Sequence, residues 1–102
     1  MTTEMINFLT NDNHGRGLIF VQEFDTKTEL FLSSNYNEIW KTHNQRLVRD
    51  SNDKEFLVIK PLANCRGKKS RHIIIDERID DEVVDTLILY CLCGITRKVE
   101  IF

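Results

Sequence analysis

The chain has 102 residues, 41% of them hydrophobic and 29% charged, and its formal net charge is −2. This suffices for one domain, residues 1–102, with a modest core; it excludes a disordered chain, a histone-like polycation and a heavily acidic DNA mimic.

Residues 4–10 read as a short helix or an edge strand, and Asn11–Gly17 is turn chemistry throughout. Leu18–Phe24 reads as a strand, Asp25–Lys27 as a turn and Thr28–Leu32 as a second strand, which together predict a hairpin. Ser33, Ser34 and Asn35 offer N-cap oxygens, and Glu38 follows Asn35 by three, as in a capping box. A helix is therefore expected over 35–49, with Tyr36, Ile39, Trp40, His43 and Leu47 on one face and Lys41, Arg46 and Arg49 away from it. Phe56–Lys60 reads as a strand stopped by Pro61, and Asn64–Arg71 as a polar, basic connection. His72–Asp76 reads as a strand whose three consecutive isoleucines imply burial on both faces. Asp80 or Asp81 is expected to cap a second helix over 81–93, ended near Gly94, and Ile95–Phe102 closes the chain as a strand. The expected fold is a small α+β domain: a mixed sheet of about five strands and two main helices, in the order (α or β)-β-β-α-β-β-α-β.

The strongest local feature is Cys65–His72, where Arg66, Lys68, Lys69 and Arg71 fall within six residues. Such a segment can hold phosphates through ammonium charges and forked guanidinium groups. It is not a P-loop, because one glycine rather than two precedes the lysines and a strand rather than a helix follows. Lys41, Arg46 and Arg49 would extend the same basic surface if the first helix shares a face with this segment. The acids cluster separately, at Asp76, Glu77, Asp80, Asp81, Glu82 and Asp85, without EF-hand spacing.

Other chemistry is sparse. Cys91 and Cys93 read as buried core, and Cys65 as a loop thiol beside cations. An odd count of three cysteines, and no basic region at Met1–Glu4, lead us to expect a reducing cytoplasmic compartment. The longest strong apolar run, Leu87–Leu92, is far below the ~18–20 residues that span a bilayer, so no membrane partner is expected. His43 is expected at the core edge. His14 and His72 with Lys68 or Lys69 would make a metal-independent RNase only if the two loops meet. No metal, cofactor or enzyme motif is recognised.

The leading expectation is thus a non-enzymatic interaction protein that binds and modulates, in effect inhibits, a protein target. Arg66–Arg71 is the first candidate contact, Asp76–Glu82 the second and Asp25–Lys27 the third. Eleven isoleucines and eight asparagines against one alanine suit an AT-rich genome, in keeping with a phage or mobile-element origin. The alternative is a nucleic-acid-binding protein that uses Lys41, Arg46, Arg49, Arg66, Lys68, Lys69 and Arg71. The apolar second helix, around Leu87–Cys93, is the expected surface of a homodimer.

Overall fold

The computed structural model describes residues 16–61 and 68–102. Their elements are β1 (Gly17–Phe20), α1 (Thr26–Asn35), β2 (Asn37–Lys41), β3 (Gln45–Arg49), β4 (Glu55–Ile59), β5 (His72–Ile75), α2 (Asp81–Cys91) and β6 (Lys98–Ile101). The α+β class, the mixed sheet and the number of helices, two, are as expected, and among the described residues the sheet has six strands rather than about five. Residues 4–10 lie outside the described residues.

Two segments depart from the expectation. Thr28–Leu32 is not a strand but lies within α1, which Asp25 caps by accepting from Thr28 N at 3.2 Å. Leu30, Phe31 and Leu32 are consecutive, so the segment lacks the three-and-four spacing that signals a helix. Residues 35–49 are not a helix but the hairpin β2–β3. Asn35 ends α1 instead of starting a helix, donating from Nδ2 to Phe31 O at 2.8 Å. Thr42 Oγ1 then accepts from Asn44 N and Gln45 N, an ST-turn that reverses the chain. His43 is accordingly exposed in that turn and not at the core edge.

The sheet order is β2-β3-β4-β1-β5-β6. β1 pairs in parallel with β4 and β5, β5 in parallel with β6, and β3 runs antiparallel to both its neighbours. From β1 the chain crosses by α1 towards one edge; from β5 it crosses by α2 towards the other. Right-handed crossovers in opposite directions place the two helices on opposite faces.

Each helix covers its own core. Leu18, Phe20, Ile59, Ile73 and Ile75 pack with Leu87 and Cys91 of α2. Ile19, Val21, Val48, Phe56, Val58 and Ile74 pack with Leu32 of α1. The alternation follows from strand geometry, in which successive side chains take opposite faces. Burial of Ile73, Ile74 and Ile75 in turn matches the expectation of a strand covered on both sides.

Gly17 is required at its position. A Cβ there would lie 2.2 Å from Phe56 Cδ1, so the Phe56 ring occupies the space that a side chain on β1 would need. The ring also makes edge contacts with Tyr36 and His72.

Candidate functional site

The parallel strands give the sheet two unlike ends. At the carboxyl ends of β1 and β5 the strand order reverses, the position where open α/β sheets usually hold ligands. Here an ion network fills it. Asp76 is fully buried and accepts from Gln22 N, Arg78 N and the Arg78 guanidinium. The same guanidinium donates to both carboxylate oxygens of Asp25, at 2.6 and 3.2 Å, and to Thr28 Oγ1. Thr28 Oγ1 in turn donates to Glu23 O at 2.7 Å. Arg78 thus latches the loop before α1 to the loop before α2.

The latch sets the acidity of its carboxyls. The Arg78 hydrogen bonds hold Asp25 down at about 2, with help from Thr28 N. Burial pushes the Asp76 carboxyl up, but the Arg78 and Gln22 hydrogen bonds outweigh it and the net direction is down. Lys27–Glu77 and Lys60–Glu23 ion pairs flank the network. Asp80, Asp81 and Glu82 lie at the start of α2, on the same end of the sheet. Among the described residues, no three His, Cys, Asp or Glu side chains are placed to hold a metal ion.

The amino ends carry the opposite sign. Arg16 precedes β1, Lys54 precedes β4, Lys68, Lys69 and Arg71 precede β5, and Arg97 precedes β6, while Lys98 opens β6. Arg49 closes the antiparallel β3 and so falls at the same end. From β3 to β6 is four strand spacings, a row of ~19 Å. Arg16 and Arg49 share Glu55, and Lys98 pairs with Glu100. Lys68, Lys69, Arg71 and Arg97 have no acidic partner among the described residues. The net charge of −2 therefore conceals a molecule polarised along its strands.

Ser70 fixes where the basic segment enters the fold. It is buried, donates from Oγ to Arg16 O at 2.6 Å, and exchanges backbone hydrogen bonds with the end of α2 through Cys91 O and Cys93 N. The stem of Arg71 lies against Gly94, whose φ of +94° suits glycine.

Behind the row lies a three-residue relay. Lys54 Nζ contacts His72 Nδ1 at 2.8 Å, and His72 Nε2 contacts Glu100 Oε2 at 2.8 Å. The neutral Nε2–H tautomer satisfies both contacts at once. The Lys54 ammonium also stands 5.2 Å from the Phe56 ring centroid. Burial moves the Lys54 ammonium towards a lower pKa, and the His72 hydrogen bond moves the Glu100 carboxyl lower. Tyr36 is half-buried, and this burial, with Glu100 and Asp50 nearby, pushes its hydroxyl up to about 12.

The residues expected at the site separate. Lys68, Lys69, Arg71 and Arg49 share the amino-end row. Lys41 and Arg46 do not join them: they sit opposite each other beside the β2–β3 turn, towards the other end of the sheet. Arg46 is not exposed either. It pairs with Glu29 of α1, stacks over Phe24, and its Nε is buried without a partner among the described residues. Arg66, Cys65 and His14 lie outside the described residues. The row gains Arg16, Lys54, Arg97 and Lys98, which are scattered in sequence and carry no shared motif. Only their position before a strand, or at its start, unites them.

Cys91 is buried in the α2 core, whereas Cys93 lies beyond the helix end and is half-buried. The expectation of a buried pair therefore holds for Cys91 alone. Native labelling with a maleimide should modify Cys93 well before Cys91; equal protection of the two would contradict the described helix end. In α2, Leu87 and Cys91 are covered by the sheet, while Leu89 is 74% exposed. Among the described residues, no helix is long and apolar enough to cross a membrane. No protein-family model matches the chain, no curated protein matches it in sequence, and no solved structure matches it.

Proposed function

We propose that the protein is a non-enzymatic binding module whose target is a nucleic acid, held by its phosphates along the amino-end row. The observation that carries this reading is the four cations Lys68, Lys69, Arg71 and Arg97, without acidic partners among the described residues and aligned with four further cations across one end of the sheet. Phosphates in an extended strand present charge at comparable intervals, and neutralising them releases counterions. Tyr36 and Phe56 near this end are half-buried and buried, so neither offers an open stacking surface. That favours backbone contact over base readout.

Fluorescence anisotropy with single- and double-stranded oligonucleotides, titrated over salt, tests it. With four phosphates neutralised, the slope of log K against log salt is expected near ~−3.6 for duplex and ~−2.8 for single strands. Lys68→Glu with Lys69→Glu should abolish binding and leave the melting temperature within a degree or two, since Lys69 is exposed and neither residue has an ion pair to lose among the described residues. Absence of binding at low salt, or binding indifferent to this double substitution, would sink the assignment.

The second reading is modulation or inhibition of a protein target in the cytoplasm by a chain of phage or mobile-element type. It is favoured by the exposure of Leu89 and of Ile95, the latter fully open to solvent. Capture from host cells with and without nuclease separates the two: a partner protein retained after nuclease supports this second reading. RNase chemistry fits less well, because both ring nitrogens of His72 are already engaged.

A further inference from the structure

Among the described residues, β6 is an edge strand with one side of its backbone open. Lys98 N donates to Arg71 O and Phe102 N to Ile75 O, so the even-numbered residues face β5. In a parallel ladder the alternate residues then point their N–H and C=O groups outward. Those are Arg97, Val99 and Ile101. The opposite edge, β2, is bulged between Glu38 and Trp40, a feature that discourages further pairing. β6 pairs with β5 in regular register throughout.

The sequence of β6 permits one good pairing with itself. Hydrogen-bond direction requires an odd-numbered residue opposite an odd-numbered one, and centring on Lys98 or Glu100 would set like charges opposite each other. Centring on Val99 instead places Val99 against Val99, Arg97 against Ile101, and Lys98 against Glu100 twice over. Val99 and Ile101 are partnered by Ile73 and Ile75, so they stand on the α2 side of the sheet. There they remain 39% and 58% exposed, although they are apolar.

The whole-molecule charge agrees with that arrangement. Antiparallel pairing brings the basic amino end of one sheet beside the acidic carboxyl end of the other, so the two polarised molecules attract.

We infer that β6 pairs antiparallel with β6 of a second copy of this chain, about a two-fold axis at Val99, to give a continuous twelve-stranded sheet. This surface differs from the outer face of α2 and does not depend on nucleic-acid binding.

Sedimentation velocity and light scattering over ~1–100 µM test it. The wild-type chain should approach twice 12.0 kDa as concentration rises. Lys98→Glu alone sets acids against acids and should weaken the dimer by about tenfold or more. Glu100→Lys alone should do the same by the opposite sign. An equimolar mixture of the two variants restores both charge pairs and should recover the dimer mass. Val99→Pro removes an outward N–H without touching the β5 ladder and should give a folded monomer, checked by circular dichroism. Should Val99→Pro fail to fold, the mixing experiment decides alone. A wild-type chain that stays monomeric at the highest concentration overturns the inference, as does a dimer that neither single charge reversal weakens.

Discussion

Gly17→Ala is expected to destabilise the fold by about 2–3 kcal/mol, the usual cost of forcing extra atoms into a packed core. The added methyl would overlap the Phe56 ring, which is 2% exposed and touches Tyr36 and His72 at its edges. The ring is held by these contacts, so the strain falls on β1 and on the α1 core around it. Urea unfolding measures the cost. The double variant Gly17→Ala with Phe56→Leu should be more stable than the sum of the single effects by about 1 kcal/mol, because the smaller side chain relieves the overlap. Additive single effects would mean that the ring swings clear of β1.

Asp76→Ala is expected to cost about 3 kcal/mol, because it strands the N–H groups of Gln22 and Arg78 and leaves a guanidinium facing a cavity. For a chain of this length that lowers the melting temperature by roughly 12 °C or more. The pH dependence distinguishes the latch from ordinary core loss. Asp25 and Asp76 both have lowered pKa values in the folded protein. Each therefore contributes stability that is fully present above the ordinary carboxyl value of 3.8 and is lost as pH falls, for Asp25 through about 2. The wild-type protein should show a steep loss of stability across that interval, and Asp76→Ala a shallower one. An acid limb of unchanged steepness would mean that the Asp76 carboxylate is not ionised in the fold.

Much of the fold was legible because some segments admit a single explanation. Ile73–Ile75 between polar flanks can only be a strand covered on both faces. Val83, Val84, Leu87, Ile88 and Cys91 repeat at helical spacing after a capping aspartate, and α2 follows. Residues 35–49 admitted two. Their apolar positions fit a helical stripe, but Leu47 and Val48 are adjacent and buried on opposite faces, which only a strand between β4 and β2 allows. The local signal that favoured the hairpin was Thr42-His43-Asn44, a turn whose hydroxyl caps two backbone amides. For α1, the deciding feature was Asp25 followed three residues later by Thr28, a cap that the Leu30–Leu32 run obscured.

The sequence by itself determined composition, the α+β class, the buried strand at Ile73–Ile75 and the second helix, since each rests on local spacing and on the burial of apolar groups. It also marked Lys68, Lys69 and Arg71 as a basic cluster. Only the tertiary structure decided which charges act together. Arg16, Lys54 and Arg97 join that cluster because parallel strands bring the residues at their starts to one end, and Arg49 because the antiparallel β3 finishes there, whatever their separation along the chain. Asp25 and Asp76 meet across 51 positions because the strand order reverses between β1 and β5, where one guanidinium spans both loops.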